Sequence, residues 1–399
     1  MQTPDVYREV AIWKKPLHKS KAQIAKAYLK FLKQIKVIAI TGSVGKTLTQ
    51  NAIYKVLSQK YKTVVGEENL DPTFRIPQTI LKAKSWDKYL ILEYGVEHPG
   101  DMENYLNLAK PDISIITKIT PTHTKYFKNV QGVETEKSKI IKVLRPADIA
   151  ILNADDKNSQ NLKDHTKAKI IWFGKNAKKG VKISNFTQDL IGSKFRLHYG
   201  GKSASVNWKI IGRHHLLSAY IAATVGIIAN LTIKQIAKGL SQLKSPKHRL
   251  NLLNIHDFYV LDDTYNSSPN AASEAVNTLI DLGKSKKKIA ILGEMKDLGD
   301  LADESHKLLG EKISKTRINQ LITVGTVAGL IAKGAGKNFR GKISQVANTK
   351  EAIAILKSLK LTNSVILIKG SRHAHLERIV NSLSGRSIHI NCYSCGSLK

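Results

Sequence analysis

The sequence predicts an α/β protein: a P-loop ATPase-type parallel sheet domain followed by a Rossmann-like C-terminal domain. Three observations carry that prediction. Between Ile38 and Thr49 a short apolar strand runs into a glycine loop and then a Lys-Thr pair that opens a helix. Apolar runs of strand length alternate with helical segments along most of the chain, the pattern of a largely parallel sheet. The alternation pauses at Ser245-Pro246-Lys247 and restarts from Arg249, which marks a second sheet.

Taken in order, residues 19–35 place Ile24, Tyr28, Leu32 and Ile35 at helical spacing among lysines, so a basic amphipathic helix is expected over an N-terminal segment 1–35. Its apolar side either packs on the domain that follows or touches a membrane surface. The central domain, 36–244, begins with the phosphate-loop strand and a helix over about 46–59. YKTVV and KYLILE follow as strands, the second ending at Glu93, where open α/β sheets place their ligands. A helix through Asn107, the strand DISIITKI ahead of His123, a helix around Lys137 and the strand DIAILNADD come next. Residues 175–208 alternate polar and apolar and predict an antiparallel extension, and helices fill 214–243. The second domain, 245–390, contains DFYVLDDTYN, KKIAILGEM, QLITVG and SVILIKG, among five or so strands each followed by a helix, and a tail covers 391–399.

The glycine loop has a chemical reading of its own. Gly42 and Gly45 take backbone angles closed to other residues, so that with Ser43 and Val44 between them successive N–H groups turn inward around an anion. The helix beginning at Lys46 adds its dipole, Lys46 reaches the β- and γ-phosphates, and Thr47 offers a hydroxyl to Mg²⁺. The spacing is G-x-x-G-K-T, with Ile40 where the general pattern has its first glycine.

Composition narrows the classes. At 399 residues, 42% hydrophobic and 24% charged, the chain builds two or three cored domains. The net charge of +33 comes from 64 basic and 31 acidic residues, mostly lysine and spread without a basic block or an aromatic stacking motif, so a solvated lysine-rich surface is expected rather than a specific nucleic-acid partner. No apolar leader interrupts the lysines upstream of the glycine loop, so a cytoplasmic protein is expected. The uncharged stretch 216–233 carries Ser218, Thr224, Asn230 and Thr232 and reads as a buried helix, not a membrane span. Cys392 and Cys395 supply half of a zinc site and read as an inert reduced tail.

Eight ordered blocks, ITGSVGKT, LEYGVEHPGDM, ITKITPTHTKYF, ILNADD, GRHH, LDDTYNSSP, LGEMKDLG and LIKGSRHAHLE, resemble those of the Mur ligase family over roughly 37–383. The resemblance implies an ATP-dependent, Mg²⁺-requiring ligase of cell-wall precursor synthesis that phosphorylates a carboxylate and lets an amine displace the phosphate. The default substrates it implies are a UDP-muramoyl peptide precursor and an amino-acid or dipeptide acceptor such as D-alanyl-D-alanine. It also implies roles: Lys46, Glu93, His123 and Lys137 in catalysis, Thr47, Glu93 and His123 at Mg²⁺, and Lys137 as a lysine carbamylated by CO₂. Asn153 is expected at the adenine, and Arg249, Asp263, Tyr265 and Asn266 of the second domain at the nucleotide when the domains close. Asn69, His98, Lys369, Ser371 and Arg372 are expected near substrate.

The chain departs from the family in several places. Lys139 stands where a glutamate is usual, Ser268 replaces an asparagine, and Arg75 replaces a glycine, where it either recruits an anionic substrate or is salt-bridged scaffold. About 36 residues precede the first strand, so the family's UDP-sugar-binding domain is expected to be absent or supplied by a partner. A ligase for a smaller or non-UDP carboxylate is therefore the alternative within the class. A basic P-loop ATPase acting on nucleic acid is the alternative outside it, and it lacks the acidic and arginine motifs it would need.

Overall fold

The computed structural model describes residues 12–67 and 71–388, so Asn69 and the Cys392/Cys395 pair lie outside the described residues. Two compact units form. The first runs to Thr187 and takes in Lys194–Lys209 and His215–Lys244, and the second takes Gln188–Ser193, Ile210–His214 and the chain from Ser245.

In the first unit β1 (Lys36–Thr41), β2 (Thr63–Val65), β3 (Tyr89–Glu93), β4 (Ile113–Ile116), β5 (Ile149–Asn153) and β6 (Lys169–Phe173) make one sheet in the spatial order β2-β3-β1-β4-β5-β6. Every pairing is parallel. The central strands are apolar along their length because helices cover both faces, and β3 and β4 are buried at every position. The strand order reverses at β1, so the crevice beyond its carboxyl end opens between β3 and β4.

The expected basic helix runs from Lys15 to Phe31, shorter at its C-terminal end than the pattern suggested. Ala25 and Leu32 are buried against the first unit's core, with Tyr28, Leu29 and Ile35 packed beside them. Ile24 is not on that face: it is 61% exposed, beside Leu17 and Phe31. At about 100° per residue Ile24 lies roughly 100° around the helix from Ala25, which carries it off the packed side.

The uncharged stretch forms the helix Leu216–Ile228 and a turn that ends where a second helix, Ile233–Ser241, begins. Asn230 turns the chain with a left-handed φ of 56°, and Thr232 and Gln235 close a capping box on the second helix. Among the described residues no helix is long and apolar enough to cross a membrane.

β7 (Lys182–Gln188), β8 (Ser193–Tyr199) and β9 (Lys202–Trp208) form a separate three-stranded sheet. Only Gly200 and Gly201 join β8 to β9, with φ of 54° and 74°, and so tight a link between neighbouring strands requires an antiparallel hairpin.

In the second unit β10 (Asn251–Ile255), β11 (Phe258–Asp263), β12 (Lys287–Gly293), β13 (Gln320–Val324), β14 (Lys342–Val346) and β15 (Ser364–Lys369) are ordered β10-β11-β15-β12-β13-β14. β10 pairs antiparallel with β11, and the remaining pairings are parallel. β15 therefore enters between β11 and β12, and two apolar cores form.

Candidate active site

The first unit gathers one set of the expected residues at the reversal of its sheet. Gly42 follows β1 with φ 143° and could carry no side chain, since a Cβ there would stand 1.9 Å from Thr117 Oγ1. Gly45 is left-handed at φ 77° and caps the helix Lys46–Leu57, which directs that helix's N-terminus at the loop. Between them the Ser43 backbone N–H donates to Lys118 O at 2.7 Å, and Thr117 Oγ1 donates to Val44 O at 2.7 Å. The Ser43 hydroxyl donates to Thr120 O at 2.8 Å and accepts from Thr120 N and Thr122 Oγ1. The loop is thus fixed to the segment that follows β4. Lys46 Nζ meets Gly42 O at 2.9 Å, which curls the ammonium back over the loop it serves.

Neighbouring strand ends supply the rest. Glu93 ends β3 beside β1, is 7% exposed, and its Oε2 accepts from the Thr47 hydroxyl at 3.0 Å. Side-by-side hydroxyl and carboxylate oxygens are donors for a hard cation, so this pair fits Mg²⁺. Among the described residues no group of three or more His, Cys, Asp or Glu side chains is placed to hold a metal. A cation held by Thr47 and Glu93 would need water or substrate oxygens to complete its shell.

Asn153 ends β5 and is 3% exposed; its amide donates to Thr117 O at 2.8 Å and its carbonyl accepts from Asp155 N at 2.9 Å. Asp156 extends that tie by accepting from Ile119 N at 3.0 Å. His123 holds a left-handed φ of 53° at the start of the short helix Thr124–Phe127. The His98 ring lies 4.0 Å from that of Tyr126, and its backbone N–H donates to Asp101 Oδ2 at 2.9 Å.

Lys137 lies on the helix Val130–Lys142 and is 1% exposed. Burial holds its ammonium pKa well below the usual 10.5, and the positive charge of Lys46 adds to the effect. Glu136, next to it, accepts from Gly100 N and Met102 N at the start of the helix Asp101–Leu108. Lys139 bridges Glu136 and Glu103, so its charge is absorbed by two carboxylates.

The second unit gathers the other set at the carboxyl ends of β11 and β15. Asp263 ends β11 and accepts from Leu250 N at 3.1 Å, and Tyr265 N donates to His248 O at 3.0 Å. The Arg249 guanidinium stacks 4.1 Å from the Tyr265 ring centroid. Lys369 is 2% exposed, with its ammonium 2.6 Å from Asp263 Oδ2 and 2.8 Å from Asn266 O, so it clamps the turn after β11. Ser371 joins the loop after β12, donating to Glu294 O at 2.8 Å and accepting from Lys296 N at 2.9 Å. Arg372 pairs with Glu377 at 3.2 Å.

Lys369→Ala strands a carboxylate at the end of a buried strand. We expect it to lower the second unit's unfolding free energy by about 3 kcal/mol, read from urea denaturation, and an unchanged midpoint would assign the clamp no stabilising role.

The Mur ligase middle-domain model matches residues 40–226 and the Mur ligase glutamate ligase-domain model matches residues 248–372. The UDP-N-acetylmuramoyl-tripeptide–D-alanyl-D-alanine ligase of Bacillus subtilis is 30% identical over 364 residues, 90% of this chain and 78% of that protein. The chain belongs to the Mur ligase family. The crystal structure of MurF from Acinetobacter baumannii superposes with a TM-score of 0.85 at 25% identity, covering 92% of this chain and 81% of that one. MurF ligase from Thermotoga maritima, solved in complex with ADP, gives 0.81 at 22% identity over 92% and 83%. As a Mur ligase the chain is an ATP-dependent amide-forming enzyme.

Sequence reasoning missed one feature in each unit. The hydroxyl cluster of Ser43, Thr120 and Thr122 had a signal in the threonine-rich TPTHT block. The Lys369 clamp had none, because its partners lie more than a hundred residues away in sequence.

Proposed function

We propose that this Mur ligase joins a D-alanyl-D-alanine acceptor to the carboxylate of a UDP-N-acetylmuramoyl-tripeptide, by way of an acyl phosphate. The observation that carries the reading is the phosphate loop with Thr47 and Glu93 beside it, in a chain 30% identical to a ligase of that name over 78% of its length. Bound Mg²⁺ would neutralise charge on the transferring phosphoryl group. The chain's own residues do the remainder. Backbone N–H groups of residues 44–47 cradle the polyphosphate, while that of Ser43, expected there from the sequence, is instead taken by Lys118 O; the Lys46 ammonium follows the charge of the γ-phosphoryl as it leaves, and Thr47 and Glu93 orient the cation. His123 and Lys137, whose amine pKa burial lowers, are assigned to the carboxylate end of the transfer, and His98 to the peptide. Arg249 and Tyr265 offer a flat stacked surface suited to a nucleotide base.

The test is formation of ADP and amide product with D-alanyl-D-alanine and a panel of UDP-muramoyl peptides, against Glu93→Gln. That variant keeps the shape and removes the charge, so turnover is expected to fall about 10²-fold or more, with half-saturation displaced to higher Mg²⁺. An unchanged Mg²⁺ titration would make Glu93 scaffold, and absence of product with every acceptor and peptide would reject the substrate assignment.

A further inference from the structure

Arg75 is the residue for which the sequence offered two readings, and its surroundings bear out the salt bridge, made on the carboxylate beside Thr47. It sits on the helix Pro72–Lys82, capped by Asp71, which accepts from Thr73 N at 2.7 Å. Its side chain is 6% exposed, and its Nη2 stands 3.4 Å from Glu93 Oε2 and 3.5 Å from Glu93 O. A built path leads it there. Gly66 leaves room for the arginine stem, since a Cβ at that position would come within 2.9 Å of Arg75 Cγ and 3.0 Å of Cδ. Glu93 thus faces a buried guanidinium on the same oxygen that accepts the Thr47 hydroxyl.

We propose that Arg75 is a positioning residue that keeps the Thr47–Glu93 pair from holding a divalent cation until a nucleotide polyphosphate arrives with it. The inference rests on the reading of that pair as the cation site. Its electrostatics follow from three charges. Glu93 contributes −1, Arg75 cancels it at contact distance, and the Lys46 ammonium lies on the phosphate loop next to Thr47. A dication entering this site alone meets a carboxylate already neutralised by Arg75, and in a buried, weakly screened setting that loss of attraction is large. Polyphosphate restores the negative charge, so metal and nucleotide bind as one unit. The buried position excludes the anion-recruiting reading, because the guanidinium is turned to Glu93 and closed to solvent.

The experiment is Mn²⁺ binding by electron paramagnetic resonance, with and without ADP, so turnover plays no part. Without ADP, wild type is expected to bind Mn²⁺ weakly, and Arg75→Gln and Arg75→Met to bind at least about tenfold tighter. That gain should vanish in Arg75→Gln/Glu93→Gln, and Arg75→Lys, which keeps the charge, should stay near wild type. Unchanged or weaker Mn²⁺ binding in both neutral variants without ADP, while binding with ADP still depends on Glu93, overturns the inference alone. Loss of Glu93 dependence with ADP present overturns the cation-site reading and the inference together. Should the neutral variants be unstable, melting supplies the answer: stabilisation by Mn²⁺ well beyond that of wild type supports the proposal, since the metal then replaces the lost cation. Equal or no stabilisation counts against it.

Discussion

Lys46→Ala is expected to reduce ligase turnover by at least about 10³-fold, roughly 4 kcal/mol of transition-state stabilisation, with little change in melting temperature. The two halves of that expectation come from one observation. The Lys46 ammonium is bound to the carbonyl of Gly42 at 2.9 Å, in a loop already fixed to the segment after β4 by Ser43 and Thr117. Folding therefore does not depend on it. Phosphoryl transfer does, because little covalent chemistry is left to the protein and positioning with charge neutralisation is most of what it supplies. A rate for Lys46→Ala within tenfold of wild type would remove the loop from the chemistry.

The second large effect belongs to Lys137. Its amine lies in a buried place that depresses its pKa, with Lys46 pressing in the same direction, and this is the condition for reaction with CO₂. Lys137→Met should lose turnover by orders of magnitude, and wild type stripped of CO₂ and bicarbonate should lose it reversibly. Stability adds a readout independent of activity. The unfolded chain protonates this lysine up to about 10.5, whereas the folded chain releases the proton at a lower pH. Between those two values the unfolded state binds more protons, so wild-type stability rises with pH by about 1.4 kcal/mol per unit from this group. In Lys137→Met that increment is absent, and the gap between the two proteins should widen as pH falls from 10.5 toward the folded value. Parallel pH profiles would place a protonated lysine in the fold.

How far the sequence alone leads differs between strands and side chains. β1, β3, β4 and β5 were legible because a strand buried on both faces must be apolar throughout, and the loops after them carry the family's blocks. β10 and β14 were not read as strands: each lies at a sheet edge, and half-covered runs such as KISQV and NLLNI lack the continuous apolar signal; β6, also at an edge, was passed over although KIIWF carries that signal. Ile24 falls with Tyr28 and Leu32 on one apolar side in the sequence, yet is exposed in the structure, because helical spacing gives a periodicity without its phase. Within the site, Lys46, Thr47 and Glu93 were legible from local motif and strand position. The partners of Arg75 and Lys369 were not, since each is decided by a tertiary approach between separate elements.

The position of β15 bears on how the chain is made. Tyr259 of β11 pairs with Val365 of β15, and Lys288 of β12 pairs with the same residue, so the strand at the middle of the second sheet is the last of its six to leave the ribosome. Until then β11 and β12 each present an open parallel edge rich in Ile, Leu and Val, the kind of surface that recruits stray strands. Through most of its synthesis the second unit therefore carries two strand edges whose shared partner has not yet been made. A ribosome stalled between Val346 and Ser364 would release a fragment whose sheet cannot close, and whose Asp263 has not yet met the lysine that balances it.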